Sequence, residues 1–405
     1  MAFVNVTVVA MDSSERVAGQ TVLVEDGRIS EIGDAASVAV PPDAEVLDGE
    51  GRYLMPGLID MHVHLLSDPG AVHDLTVVLA AGVTSVRVMW GMARHLEWRD
   101  AIAAGTLVGP TLYVASAGLD GSPPFWPGTI VVDSAERGRA AVRDVAGAGY
   151  DYVKVYSRLQ LEPYVAILDE ANRLGVRAVG HVPLALTADF AISSGQYTIE
   201  HFSRFASALT STGDWSGEID ASKLAALAEQ MRQAGTWNCP TLTVQTRSQD
   251  QVAQLRANPL FQLLSQPMRE WLDSSQPQPP AGSSARADAR RKEVLAALVG
   301  SGVRVVAGTD AGVFYVFPGF SLHEELRNLV DAGLSPYQAL RAATVDAAAS
   351  LEASDRGRIA AGQRADLLLL DSDPLADITH VNRRVGVMAG GRWFAQSALM
   401  EMARE

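Results

Sequence analysis

Between residues 56 and 357 the sequence alternates short apolar runs with amphipathic stretches, and this limits the architecture more than any other feature. The apolar runs are Leu58–His64, Val83–Met89, Thr111–Ala115, Tyr152–Tyr156, Val176–His181, Tyr197–His201, Thr236–Val244 and Val303–Thr309. Their shortness and bounding turn residues read as buried strands. Stretches such as Ala135–Gly147, Leu161–Leu174 and Ala221–Ala234 carry apolar residues at helical spacing. Strands alternating with helices imply a parallel sheet, and eight repeats over roughly 300 residues favour a closed (β/α)8 TIM barrel of the α/β class. An open doubly wound sheet calls for a glycine-rich dinucleotide loop after an early strand. None follows Val83–Met89 or Tyr152–Tyr156.

The two ends read differently. Val4–Val9 and Thr21–Glu25 are β-rich around the turn Asp26-Gly27-Arg28, and Ala365–Leu370 and Val385–Met388 echo them before the turn Ala389-Gly390-Gly391. The expected organisation is a small β-sandwich domain built from residues 1–55 and 358–405, with the barrel of residues 56–357 inserted between its halves. One polar segment, Gln245 to Lys292, interrupts the alternation and includes Gln276-Pro277-Gln278-Pro279-Pro280. It lies between the seventh and eighth strands, where barrel enzymes carry lids; a solvated spacer fits as well.

Composition excludes several classes. The 405 residues hold 33 Lys+Arg against 47 Asp+Glu, a net charge of −14. Nucleic acids and anionic membranes need clustered cations, so neither is an expected partner. No apolar run approaches the ~18 residues of a membrane span. Met1 to Ser13 lacks the basic start and cleavage site of a signal peptide, giving a cytoplasmic expectation. The single cysteine, Cys239, rules out an internal disulfide and a multi-cysteine zinc site, and reads as core.

The chemistry concentrates at strand ends. In Pro56-Gly57-Leu58-Ile59-Asp60-Met61-His62-Val63-His64 the two histidines share a strand face and can share a metal ion. His181 ends the fifth strand, His201 the sixth and Asp310 the eighth, while Lys154 lies inside an apolar strand where an unpaired ammonium is costly. These six residues occupy the same end of five strands, the face on which barrel active sites form. That placement points to a metal site.

On these residues the chain resembles the amidohydrolase superfamily over essentially its whole length. The Pro-Gly-Leu-Ile-Asp-x-His-x-His opening and the Gly308-Thr309-Asp310 ending match in order. His323-Glu324-Glu325-Leu326, Ala339 to Thr344 and Gly362-Gln363-Arg364-Ala365-Asp366-Leu367 look most like the imidazolonepropionase-like and Xaa-Pro dipeptidase-like branch. The resemblance implies two divalent metal ions. His62 and His64 would hold the more buried one with Asp310, and His181 and His201 the more exposed one. Lys154, carboxylated by carbon dioxide to N6-carboxylysine, would bridge them. Such a carbamate can span ions ~3.5–4 Å apart and removes the cost of a buried ammonium. The alternative for Lys154 is an ion pair with Asp60 or Glu200. The donor set suits Zn²⁺, with Mn²⁺, Co²⁺ and Fe²⁺ also admissible.

The implied reaction is hydrolysis of an amide or peptide-type C–N bond by a metal-bridging hydroxide, with Asp310 as general base and then acid. The expected partner is a small-molecule amide: an N-acyl amino acid, a dipeptide or a relative of these. Carbamate, ester, lactone or cyclic-amide hydrolysis is the alternative, and a non-catalytic binding homologue is a third reading. Deaminases of the superfamily usually use one metal and lack the bridging lysine, so Lys154 argues against deamination. The superfamily also implies a homo-oligomer.

Other positions are softer. Asp60 and Glu200 could orient imidazoles, although Glu200, opposite His201 in strand alternation, reads better as a salt bridge to a helix. Tyr156, Arg158 and His323 are candidate substrate contacts, Arg158 being the nearest match to a carboxylate-binding arginine. Trp90, Tyr113, Phe125, Trp126, Phe314, Tyr315 and Phe317 could form an aromatic pocket. His73, His95 and His380 read as surface or structural residues.

Overall fold

A computed structural model describes residues 1–275 and 284–405. The strand Leu58–Val63 is buried at every position, as expected of a parallel strand covered on both faces. It pairs in parallel with Val83–Val88, which pairs with Thr111–Val114. Ala115 bridges to Tyr152, and Tyr152–Val155, Arg177–Gly180, Thr198–Glu200 and Trp237–Cys239 follow in parallel order. The remaining gap is filled by residues 303–311. On one side Asn238 N donates to Arg304 O at 2.9 Å and Val306 N to Asn238 O at 3.0 Å. On the other, Met61 N donates to Ala307 O at 3.0 Å and His64 N to Ala311 O at 2.7 Å. Hydrogen bonds therefore connect eight parallel segments into a ring.

The last two segments differ from expectation. The seventh strand stops at Cys239; Thr241 takes a left-handed φ of 48° and the chain enters the helix Leu242–Gln245. The eighth makes isolated bridges at Val305 and Ala311 rather than a continuous ladder. Its glycine explains how closely it approaches: a Cβ on Gly308 would lie 2.5 Å from Cys239 Sγ and 2.9 Å from His62 N.

The helices Ala135–Gly147, Leu161–Leu174 and Ala221–Ala234 occupy the expected residues. Ser134 and Asp220 cap the first and last by accepting from backbone N–H groups, and Gly175 and Gly235 end the second and third in left-handed conformation. The largest apolar cluster joins strand residues such as Val86, Val114 and Val153 to helix residues such as Leu75, Val142 and Ile167.

Both termini build one further sheet of eight strands: Ala2–Val8, Val17–Glu25, Arg28–Asp34, Val46–Asp48, Tyr53–Pro56, Leu367–Leu370, Arg384–Ala389 and Arg392–Ala395. The strand bearing Trp393 stands four places from the one bearing Phe3, ~19 Å away in a flat sheet at ~4.8 Å per strand. Their rings nevertheless meet edge to face at 5.4 Å. The sheet is thus folded over itself around Phe3, Val22, Leu54, Leu367 and Met388, which gives the sandwich-like layering expected of the two ends.

Residues 245–275 form short helices joined by loops, among them Val252–Ala257, Pro259–Leu263 and Gln266–Glu270. Buried Asp74 fixes the segment by accepting from Ser265 N at 2.8 Å and Ser265 Oγ at 2.7 Å. The Gln276 to Pro280 run lies outside the described residues.

Candidate metal centre

Strand ends bring the expected ligand residues together. His62 Nε2 lies 3.2 Å from Asp310 Oδ1 and His64 Nε2 lies 2.8 Å from the same oxygen. His201 Nδ1 is 4.0 Å from Asp310 Oδ2, and Lys154 Nζ is 3.4 Å from His62 Nε2. The His181 ring stands 4.9 Å from that of His201. Ligand atoms of His62, His201 and Asp310 all fall within 4.8 Å of one another. The chain geometry is unusual where it aims these groups: His201 and Asp310 have left-handed φ values of 62° and 64°. Such backbone is costly for non-glycine residues and is typical of functional sites.

Electrostatics prepare these groups for a cation. Burial pushes the His64 imidazole down to about 4 and His201 to about 3, and holds His181 well below its ordinary value. All three are neutral near pH 7 and keep a lone pair, as metal ligation requires. Burial alone would raise the Asp310 carboxyl, but His201 and His62 hold it well below the usual carboxylate range. Asp310 Oδ1 nonetheless has no hydrogen-bond partner, although it is buried among ring nitrogens. An orphaned carboxylate oxygen facing imidazoles is what a missing cation would leave, so the donor set fits a divalent metal.

Lys154 is fully buried, and burial pushes its amine down to about 8. Neither alternative partner pairs with it. Asp60 accepts instead from Thr309 Oγ1 at 2.7 Å and from the His62 and Thr309 N–H groups, each at 3.1 Å. It fixes the backbone on either side of the centre rather than orienting a ring. Glu200 also departs from expectation. It is fully buried and accepts from His62 Nδ1 at 2.9 Å, from Arg87 Nη2 at 2.8 Å and from Thr198 Oγ1. The favoured salt bridge to a helix is corrected to an ion pair with a strand residue, because Thr198 and Glu200 both face the barrel interior. His201 reaches the centre through its left-handed φ instead of by alternation.

Above these groups opens a cavity of about 730 Å³. Trp90, Met92, Phe125, Trp126, Trp271 and Phe314 give it aromatic and apolar walls, and Tyr156 joins them. The Tyr156 ring lies 4.2 Å from that of His181, and its hydroxyl accepts from Trp126 Nε1 at 2.7 Å. Trp271, from the segment after the seventh strand, donates to Gly312 O at 2.7 Å two residues beyond Asp310. That segment therefore supplies part of the wall.

Two candidate substrate contacts do not line this cavity. Arg158 Nη1 donates to Pro123 O at 2.6 Å, with the guanidinium over Phe125 at 5.5 Å. His323 is buried in the helix Ser321–Asp331, with Nε2 2.7 Å from Ala81 O and 3.2 Å from Arg384 Nη1. Both side chains are thus held by backbone carbonyls away from the cavity wall. Tyr113, Tyr315 and Phe317 are likewise outside the wall. Conversely, Met92 and Trp271 were not among the expected wall residues, and neither were two titratable ones, His95 and Arg291. His95 is fully buried, accepts from Met92 N at 3.0 Å through Nδ1, and has an Nε2 without a partner. Arg291 is the sole guanidinium on the wall among the described residues. Arg87 carried a readable signal, the same as Lys154: a cation inside an otherwise uncharged, buried strand.

No helix among the described residues is long and apolar enough to cross a membrane. Comparison with known proteins agrees with this geometry. Adenine deaminase 2 of Rhizobium etli is 28% identical over 382 residues, covering 91% of this chain and 53% of that protein. The adenine deaminase of Moorella thermoacetica is 27% identical over 379 residues, covering 92% and 54%. The chain thus spans about half the length of these relatives. Among solved structures, a bottromycin amidohydrolase superposes with a TM-score of 0.76 at 27% identity, covering 99% of this chain and 88% of that one. A Xaa-Pro dipeptidase shares the fold with a TM-score of 0.73 at 19% identity, covering 97% and 99%. The profile of the amidohydrolase family matches residues 53–394, and the chain belongs to that family.

Proposed function

We propose that this chain hydrolyses an amide or peptide-type C–N bond at a centre for two divalent metal ions, with Zn²⁺ the metal its donors suit. The observation that carries this reading is the convergence of histidines, an ionised carboxylate and a buried lysine without a carboxylate partner at the floor of an apolar cavity. His62, His64 and Asp310 would hold one ion, and His181 and His201 the other. Lys154, carboxylated on Nζ by carbon dioxide, would serve both. Its amine, pushed down to about 8, has more of the neutral form that attacks carbon dioxide than an exposed lysine has. When bound, the metal supplies Lewis acidity and a water of lowered pKa.

The chain's own residues do the rest. Asp310 takes a proton from the attacking water and passes it to the departing nitrogen. Tyr156, Trp90 and Trp126 wall the reacting group from bulk water, which strengthens every polar interaction at the floor. The wall composition supports a substrate with a bulky apolar part, and Arg291 supports an anionic end such as the carboxylate of an N-acyl amino acid or dipeptide. Arg291 Nη1 donates to Asp288 at 2.8 Å, while its Nε has no partner.

A hydrolysis screen of metal-loaded protein tests this reading against dipeptides, N-acyl amino acids, neutral anilides, carbamates, lactones and adenine. Turnover of apolar N-acyl amino acids or dipeptides is the expected result. Ammonia release from adenine alone, or turnover confined to esters and lactones, would overturn the amide assignment.

A further inference from the structure

The strand Val83–Val88 places a guanidinium beneath the metal centre, where no charged group would stand without a task. Arg87 is fully buried. Its Nε donates to Met61 O at 2.7 Å, the carbonyl immediately before His62. Its Nη2 donates to Glu200 Oε1 at 2.8 Å, and its Nη1 lies 3.4 Å from Thr198 Oγ1. The Tyr152 ring covers the guanidinium at 5.8 Å. One side chain thus contacts the first, fourth and sixth barrel strands from the second. The other oxygen of Glu200 faces His62 Nδ1 at 2.9 Å, and both of these groups are inaccessible to water.

A carboxylate can only accept hydrogen bonds, so a Glu200 held by Arg87 requires His62 to donate from Nδ1. The lone pair then stands on Nε2, which is the nitrogen aimed at Asp310 and Lys154. We propose that Arg87 is a positioning residue for the metal: through Glu200 it fixes the tautomer of His62, and through Met61 O the height of that ring on its strand. Without the guanidinium, Glu200 loses its counter-charge and Met61 O its donor. His62 is then free to carry its proton on either nitrogen. Ligand-orienting groups of this kind are worth roughly 10–100-fold in metal affinity. The inference rests on His62 being a metal ligand.

The test is a zinc titration of metal-stripped full-length protein against a chromophoric chelator, for wild type, Arg87→Met, Arg87→Lys, Glu200→Gln and the Arg87→Met/Glu200→Gln pair. Nitrogen-15 NMR of the metal-free proteins reads the His62 tautomer alongside. Arg87→Met should bind zinc roughly 10–100-fold more weakly than wild type and lose the Nδ1–H signature. Arg87→Lys, which keeps the charge but cannot reach three partners, should fall between the two. The double variant should bind no worse than Glu200→Gln, because the two residues act as a unit. Should Arg87→Met fail to fold, Arg87→Lys and Glu200→Gln carry the test. Zinc affinity of the folded arginine variants within about threefold of wild type, or an unchanged His62 tautomer, overturns the proposal. Failure of wild type itself to bind zinc would instead overturn the metal reading on which it stands.

Discussion

The floor of the cavity and its walls are built from different parts of the chain. At the floor, His62, Asp60, Arg87, Glu200 and Thr309 are fully buried on or beside strands, and hydrogen bonds tie each to another strand of the barrel. At the walls, Trp90, Phe125, Trp126 and Phe314 come from connections between regular elements and present ring surface, Phe125 with 51% exposure. A polar network in a dry interior tolerates little displacement, because each unpaired group there is expensive. Aromatic surface on a connection can change without disturbing the strands beneath. On the proposed function, the floor carries the chemistry and the walls the choice of substrate. Each of the following changes bears on that separation.

The largest effect should come from Asp310→Asn, which keeps the shape of the floor and removes the proton acceptor proposed for it. Steady-state kinetics should show kcat lowered by roughly 10²–10⁴ with KM little changed. Near-normal turnover would remove Asp310 from the proton steps. Next is Lys154→Ala, which should cost at least the roughly 10–100-fold typical of a lost metal-supporting group. A short carboxylic acid added to the assay should restore part of the loss by standing in for the carbamate. Unchanged metal content and activity would refute the carboxylated lysine.

A wall change should behave differently. Arg291→Met should raise KM for carboxylate-bearing substrates by about tenfold or more, the scale of a hydrogen bond to a charged group. It should leave kcat, and the kinetics of neutral amides, nearly unaltered. An equal loss for charged and neutral substrates would show that Arg291 supports packing instead.

The smallest effect concerns His95, in the wall beside the floor. Burial pushes its imidazole from 6.5 down to about 4. The unfolded chain binds a proton at this ring near 6.5 while the folded protein does not, so its stabilising contribution is complete above that pH and disappears as pH falls toward 4. Thermal melts of metal-free protein between pH 7 and 5 should therefore show a smaller acid-induced fall in Tm for His95→Gln than for wild type, by a few degrees at most. Equal slopes would place this ring in a wetter environment.

The same division governs how much could be read before the structure. The six strand-end residues were legible because strand alternation and the order of strands around a barrel translate directly into position. Asp60 and Glu200 stand out as neighbours of the proposed ligands, yet their partners do not, since a left-handed residue such as His201 breaks the alternation used to orient Glu200. Arg87 shows that a signal can be present and unused. In the walls, spacing carries no direction. Arg158 and His323 lie near the right strands in sequence but turn toward Pro123 and Ala81, while His95 and Arg291 reach the cavity from helices without any local pattern. The shortened seventh strand and irregular eighth segment follow from turn conformation and close glycine contact, which pairwise apolar patterning does not report.

The central claim is that the floor is a metal centre, and metal analysis tests it most directly. Wild-type protein loaded with zinc, freed of excess and analysed by plasma mass spectrometry should retain close to two divalent ions per chain. His62→Asn and Asp310→Asn should each retain fewer. Carefully loaded wild-type protein that holds no metal would contradict the account.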